Sequence, residues 1–175
     1  MPEVTIITFD KFAEMLFQSV FKGFKYRFIS EEYRISLMEE AIKKAELEFY
    51  KSQKNNQISY QLTNKIYSIL FGLREDGINS EGMIIDLEKD KDGEIELRDS
   101  KKFSDLTKIL KEYEKLLEGK YLDPPEILRK LVAFYDENNL NGDDVHTNCF
   151  DKHLNEIVPS VKQIMVYGFS EFKEP

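Results

Sequence analysis

The chain has 175 residues, of which 41% are hydrophobic and 13% aromatic, so it has enough apolar side chains for a buried core and is not a disordered chain. Its net charge of −8 argues against nucleic acid as the main partner, because phosphate binding needs clustered lysine and arginine. No apolar run approaches the ~18 residues of a membrane-spanning helix, which argues against membrane insertion. A single cysteine, Cys149, excludes an internal disulfide and favours a reducing compartment such as the cytoplasm.

Helical periodicity dominates the first half of the chain. Apolar residues recur at intervals of three and four in FDKFAEMLFQSVF, EEYRISLMEEAIKKAELEFY and YQLTNKIYSILFGL, which predicts three amphipathic helices. Ser30 precedes the second helix and is the expected N-cap. The apolar stripe of the second helix extends to Phe49, so we expect that helix to run through Tyr50. The third helix is expected to reach Gly72.

The second half of the chain continues the alternation of helices and polar loops. Ser80 is the expected cap of a short helix, EGMIIDL, and Ser104 that of FSDLTKILKEYEKLLEG, which Gly119 should end. The sequence LDPP predicts another helix start, with an aspartate cap and prolines in the first turn. CFDKHLNEI predicts one more helix, and VKQIMVYGF a last short segment. The sequence therefore predicts an all-α chain.

One loop, EKDKDGEIELRD at residues 88–99, has the pattern of a cation site. Calcium takes six to eight oxygen ligands, and a twelve-residue loop supplies them from positions 1, 3, 5, 7, 9 and 12, with glycine at position 6. Those positions hold Glu88, Asp90, Asp92, the carbonyl of Glu94, Glu96 and Asp99, with Gly93 at the sixth. The alternative interpretation is a surface β-hairpin that turns at Lys91-Asp92-Gly93, since EIEL alternates as a strand does.

The pattern of this loop recurs in weaker form. KSQKNNQISYQL (51–62) has Ile58 at the apolar eighth position that Ile95 occupies in 88–99, but it lacks the acidic residues. DENNLNGDDVHTNC (136–149) has Val145 at a similar place, with a spacing one or two residues longer. The fragment IITFDKFAEML near the N-terminus is similar to the last third of such a loop and its exit helix.

These loops resemble those of the EF-hand superfamily. Loop starts at 51, 88 and about 136 are separated by 37 and about 48 residues, a spacing similar to that of the branch containing recoverin, the neuronal calcium sensors and calaxin. The resemblance implies helix–loop–helix repeats in two lobes, with short two-strand contacts between paired loops. The expected lobes are residues 1–75, with a remnant hand and a degenerate hand, and 76–175, with the 88–99 hand, a second degenerate hand and a tail helix.

The resemblance leaves the pairing of the hands open. Ile95 would lie opposite Val145 if 88–99 pairs with the third loop, and opposite Ile58 if it pairs with 51–62. The EF-hand resemblance also implies a non-enzymatic binding protein of the calcium-sensor type, which engages an amphipathic helix of a protein partner. Only 88–99 retains acidic ligands, so we expect at most one weak site, for Ca²⁺, with Mg²⁺ or no ion as the alternatives.

Two further functions remain as alternatives to a calcium sensor. One is a metal-independent adaptor in a cytoskeletal or ciliary assembly, a location that the resemblance to calaxin implies. The other is an acidic inhibitor or immunity-type protein that blocks a basic site.

Two observations bear on metal and enzyme chemistry outside the loop. His146, Cys149 and His153 are spaced by three and four residues, which would place three zinc ligands on one helical face, with Asp143 or Asp144 as the fourth. We favour the alternative, a helix start with a buried cysteine and two solvated histidines. No nucleophile accompanies a base at a motif spacing, so we do not expect an enzyme.

Overall fold

A computed structural model of the protein describes residues 6–50, 59–89, 97–139 and 146–159, with the side chains of 85–89, 97–99, 139 and 146–149 excepted. Within these ranges seven α-helices and one pair of short strands are present, so the prediction of a mainly helical chain is confirmed. In chain order they are α1 (Phe9–Val20), β1 (Arg27–Phe28), α2 (Glu31–Lys44), α3 (Tyr60–Glu75), α4 (Ser80–Lys89), α5 (Leu97–Leu117), β2 (Tyr121–Leu122), α6 (Pro124–Asn139) and α7 (His146–Ile157).

The helices form two compact units. The central unit runs from Tyr26 to Pro125, and the terminal unit combines the residues up to Lys25 with those from Glu126 onward. This division differs from the expected boundary between residues 75 and 76, because α3 and α4 belong to the same unit. The terminal unit therefore consists of the two ends of the chain.

The core of the central unit is built around α5. Its apolar face is buried against α2, α3 and α4, because leucine, isoleucine and tyrosine recur at helical spacing on one side of the helix. The fully buried members with the largest side chains are Met38, Ile66, Leu70, Met83, Ile109, Leu110 and Tyr113. Each such side chain contributes roughly 1.5–3 kcal/mol by its removal from water.

The strands join the two ends of the central unit. β1 and β2 run parallel, with Arg27 opposite Tyr121 and Phe28 opposite Leu122. Neither strand belongs to a loop in which the sequence predicted strand contacts. The pairing of Ile95 with Val145 or Ile58 lies outside the described residues.

In the terminal unit, α1 packs against α7. The N-terminus of α1 is capped by Thr8, whose side chain accepts a hydrogen bond from the Lys11 N–H at 3.2 Å. Phe17 is almost fully buried, and its ring lies 4.5 Å from that of Phe21 and 5.1 Å from that of Phe24. Aromatic contacts therefore fix the end of α1.

Several predicted helix boundaries are confirmed. The side chain of Ser30 accepts a hydrogen bond from the Tyr33 N–H and caps α2. Gly119 has φ of 69°, the left-handed conformation in which glycine ends a helix, two residues after α5. α6 begins at Pro124, as LDPP predicted.

Other boundaries differ from the prediction. α3 continues past Gly72 to Glu75, since one glycine in a helix costs only about 1 kcal/mol. α5 begins at Leu97, so Ser104 lies inside it rather than at its cap. The predicted helix through Tyr50 is wrong, because α2 ends at Lys44.

Candidate functional site

The acidic segment 88–99 connects α4 to α5. α4 ends at Lys89, the second residue of the segment, and α5 begins at Leu97, the tenth. Glu88 therefore lies on α4 and Asp99 on α5. Asp90, Asp92, Glu94 and Glu96, and the side chains of Glu88 and Asp99, are outside the described residues.

In the EF-hand interpretation, Ile84 and Leu87 before this segment and Phe103 after it are the positions at which the flanking helices would contact a core. Phe103 packs, partly buried, against the core cluster, as expected. Ile84 is 37% exposed, and Met83 is buried in its place. The expectation for Ile84 is wrong because α4 presents the neighbouring residue to the core. The side chain of Leu87 is not described.

The N-terminus of α4 is held by two side chains. The side-chain oxygen of Asn79 accepts the Gly82 N–H at 2.8 Å, so Asn79 is the cap that the sequence assigned to Ser80. Ser80 instead donates its backbone N–H to the Glu114 carboxylate at 3.2 Å, and its hydroxyl donates to the same group. A carboxylate at a helix N-terminus also interacts favourably with the helix dipole. α4 is thereby tied to α5.

A buried ion cluster joins the end of α3 to α5 and to the residue before α6. Arg74 donates to both carboxylate oxygens of Asp123, from Nε at 3.2 Å and from Nη2 at 3.0 Å, and to Glu114 from Nη1 at 3.1 Å. Tyr113 donates its hydroxyl to Asp123 at 3.3 Å. The cluster fixes three elements at one point of the core.

Burial and the charge of Asp123 act in opposite directions on the pKa of Arg74 and in the same direction on the pKa of Tyr113. Burial disfavours the charged form of Arg74, but the charge of Asp123 and its hydrogen bond more than offset this, so the pKa of Arg74 is raised. Burial, followed by the charge of Asp123, also raises the pKa of Tyr113. Arg74 is therefore charged and Tyr113 neutral, which suits a structural ion pair rather than proton transfer.

A second buried carboxylate, Asp105 on α5, contacts backbone rather than side-chain donors. It is fully buried and accepts the N–H groups of Glu48, Phe49 and Tyr50 at 2.8–3.1 Å. These bonds replace the helical hydrogen bonds that a longer α2 would make. They explain why α2 ends earlier than its sequence pattern predicts.

A polar cluster that the sequence did not predict lies between α1 and α7. The Ser19 hydroxyl lies 2.7 Å from Glu156 Oε2 and 2.9 Å from His153 Nδ1, and Lys22 donates to Glu156 at 3.0 Å. The interpretation of His153 as solvated is wrong, because the ring is half-buried and hydrogen-bonded. The partners are separated by 134 residues or more, so no local motif could reveal them.

The geometry of this cluster determines its proton positions. The hydrogen bonds from Ser19 and from Lys22 lower the pKa of Glu156, which is therefore ionised near neutral pH. The single hydroxyl proton of Ser19 points to that carboxylate, so His153 Nδ1 must carry a proton and donate to Ser19. In a catalytic triad the histidine stands between serine and carboxylate and removes the serine proton. Here the order is different, and the serine is not activated.

Metal binding is the remaining chemistry to consider. Within the ranges that the structure describes, no three histidine, cysteine or acidic side chains converge as a metal site would require. The described helices also include none that is both long and apolar enough to cross a membrane.

The described residues define a mainly helical protein with one short pair of strands. A family model described as ADDB, N-terminal, matches residues 1–172, and the chain belongs to this family. No curated protein and no solved structure matches the chain. The family description names neither a metal ion nor a reaction.

Proposed function

We propose that the chain is a non-enzymatic, EF-hand-type binding module that engages an amphipathic helix of a protein partner. At most one divalent cation, Ca²⁺ or alternatively Mg²⁺, binds weakly at residues 88–99. The observation that carries the proposal is that α4 ends and α5 begins inside the acidic segment, as the two helices that flank an EF-hand loop would. The proposed ligands are Glu88, Asp90, Asp92, Glu94, Glu96 and Asp99.

The anchoring of both helices supports a role in signalling a bound cation. α4 is held at its N-terminus by Glu114, and α5 is buried along one face. A cation bound at 88–99 would therefore change the angle between α4 and α5 where they meet this segment, while the contact of Ser80 with Glu114 holds the opposite end of α4. EF-hand sensors expose apolar surface through such a change of angle.

Exposed apolar side chains support the partner proposal. Tyr60, Ile69 and Ile84 on α3 and α4 are 64%, 47% and 37% exposed. An amphipathic partner helix binds through apolar side chains of this kind. The proposed location is the cytoplasm, in a cytoskeletal or ciliary assembly.

The proton arrangement of Ser19 supports a non-enzymatic role. Its hydroxyl donates to ionised Glu156 rather than to His153, so this cluster supplies no activated nucleophile.

Calorimetric titration of the full chain with CaCl₂ and with MgCl₂, at fixed ionic strength, tests the cation site. We expect one weak site, which Asp90→Ala abolishes because no neighbouring residue replaces a short-armed ligand. Asp151→Ala, an exposed aspartate on α7, is the matched control and should leave the titration unchanged. Wild-type protein that binds neither ion would show that the cation part of the proposal is wrong.

Binding of a hydrophobic dye tests the partner surface separately. We expect Ile69→Ser combined with Ile84→Ser to lower dye fluorescence, because both changes remove exposed apolar area. Wild-type protein that binds no dye, with or without calcium, would contradict the proposed surface for a partner helix.

A further inference from the structure

Residues 45–50 follow α2 directly and keep its apolar spacing, but residues 45–49 are not helical and Tyr50 lies in a 3₁₀ turn. The sequence AELEFY contains good helix formers and neither glycine nor proline. Ala45 and Phe49 continue the spacing of Met38 and Ile42 at intervals of three and four. Ala45 nevertheless has φ of −71° and ψ of 134°, an extended conformation that ends the helix. The local signal for this end consists of Lys43 and Lys44 in the last turn, without a glycine or proline after them.

The constraint comes from α5. Asp105 accepts the Glu48 N–H at 3.0 Å, the Phe49 N–H at 2.8 Å and the Tyr50 N–H at 3.1 Å. Three successive N–H groups directed at one anion resemble the first turn of a helix that is capped by a carboxylate. If α2 continued, the same N–H groups would donate to carbonyls four residues earlier. Both conformations therefore satisfy these donors.

In the observed conformation, which we call docked, the N–H groups of Glu48, Phe49 and Tyr50 donate to the Asp105 carboxylate. The side chain is fully buried, and the nearest cation is Lys108, whose Nζ lies 4.0 Å from Asp105 Oδ1 and 3.6 Å from Glu48 Oε1. The Lys108 ammonium also donates to the Glu46 carbonyl at 3.2 Å. Burial, and then the charge of Asp105, raises the pKa of Tyr50, so the tyrosine is neutral and adds no charge.

We propose that residues 45–50 form a two-state element, which is docked on ionised Asp105 in this structure and joins α2 as helix when that charge is lost. The docked state is the ground state, because it buries the Tyr50 side chain and satisfies the Asp105 carboxylate. The direction in which the chain leaves α2 toward residue 51 is thus set by one charge on α5.

Asp105→Asn tests this proposal, because it removes the charge and keeps the size of the side chain. We expect the backbone Cα chemical shifts of residues 45–50 to move to helical values. Asp151→Asn, at an exposed position of α7, is the matched control and should leave the chemical shifts of residues 45–50 unchanged. An Asp105→Asn protein in which 45–50 keeps its wild-type shifts, or becomes irregular without becoming helical, overturns the proposal.

Glu46→Pro should restrict residues 45–50 to the docked conformation. The residue before a proline prefers the extended conformation that Ala45 already has, and proline is excluded from the interior of an elongated α2. The double variant Asp105→Asn with Glu46→Pro should therefore gain no helix at 45–50. If it gains as much helix as the single variant, the helical shifts come from elsewhere and the proposal is wrong.

Glu46→Pro in the chain that retains Asp105 keeps the test independent of how well Asp105→Asn folds. We expect this variant to keep the wild-type shifts at 45–50, because Ala45 is already in the extended conformation that precedes a proline. A Glu46→Pro chain that loses those shifts while α5 keeps its own would overturn the proposal.

Discussion

Arg74 and Asp123 form a bidentate ion pair inside the central unit. The guanidinium Nε and Nη2 donate to the two carboxylate oxygens at 3.2 and 3.0 Å. The Asp123 side chain has no exposed area, and that of Arg74 is 7% exposed. A pair this deeply buried tolerates the loss of one partner poorly, because the other charge is left without compensation.

We therefore predict that Arg74→Met lowers the free energy of unfolding of the central unit by about 3–5 kcal/mol. Hydrogen exchange of α5 amides measures this free energy. Lys115→Met is the control, because the Lys115 side chain is 55% exposed and its ion pair with Glu112 should be worth less than about 1 kcal/mol. Equal effects of the two substitutions would contradict the structural role of the cluster.

The cap of α4 gives a second prediction. Asn79→Ala should destabilise α4 by about 1 kcal/mol, because the Gly82 N–H loses its acceptor, whereas Asn79→Asp should retain the cap. Hydrogen exchange of amides in the first turn of α4 is the measurement. If Asn79→Asp exchanges as fast as Asn79→Ala, the side chain of residue 79 is not the cap.

The pH dependence of the contact between α1 and α7 gives a third prediction. The hydrogen bonds from Ser19 and Lys22 hold the pKa of Glu156 below its ordinary 4.5. A carboxyl group with a lowered pKa stabilises the fold above the pKa of its unfolded state, and this contribution is lost as the pH falls below about 4.5. We expect the protection factors of α7 amides, that is their exchange rates corrected for the intrinsic rate at each pH, to fall on acidification from pH 5 to pH 3.

Glu156→Gln should remove the part of this acid sensitivity that protonation of Glu156 causes. The part that other carboxylates cause should remain. Ser19→Ala should reduce it as well, because the Ser19 bond is the largest cause of the lowered pKa. The prediction fails if wild type and Glu156→Gln show the same difference in α7 exchange between pH 5 and pH 3.

Two neighbours on α3 offer a matched comparison of core and surface. Leu70 is fully buried, and Ile69 is 47% exposed. We predict that Leu70→Ala costs about 2–5 kcal/mol of unfolding free energy, because it removes apolar contacts and leaves a cavity. Ile69→Ala should change it by no more than about 0.5 kcal/mol. A large cost at Ile69 would show that its side chain contributes to folding rather than to the proposed partner surface.

Repair of the acidic segment gives the last prediction. Glu88→Asp shortens the first proposed ligand, and Asp99→Glu restores a side chain long enough for two-oxygen coordination at the twelfth position. The double variant should bind calcium more tightly than wild type in calorimetry. The control Lys51→Ala lies in the sequence 51–62, which was predicted as a loop without acidic ligands, and should leave binding unchanged. A repaired segment that binds no better than wild type would favour the acidic hairpin.

The sequence predicted most helices because their apolar spacing is local information. Ser30 and Gly119 were identified correctly because a cap and a left-handed glycine act within one turn. The end of α2 was missed because Asp105, which determines it, lies 55 residues beyond Tyr50. The charged clusters were missed for the same reason. Asp123 was recognised only as a helix cap, although its carboxylate also holds Arg74.

The assignment of cation ligands to residues 88–99 stays a prediction. Helices α4 and α5 meet this segment, and on α4 Met83 is buried whereas Ile84 is exposed. Periodicity over ten residues leaves the rotation of a short helix poorly determined, since a shift of one position turns it by ~100°.

The composition of the terminal unit has a consequence for protein synthesis. α1 is made before α7, and its contacts with α7 join residues 134 positions apart, such as Ser19 and His153. At about 5–20 residues per second, α1 waits roughly 7–27 s for its partner to leave the ribosome. During that time the apolar face with Leu16 and Phe17 has no α7 to cover it, whereas the central unit can already be complete. A nascent chain stalled before α7 should therefore recruit chaperones at α1.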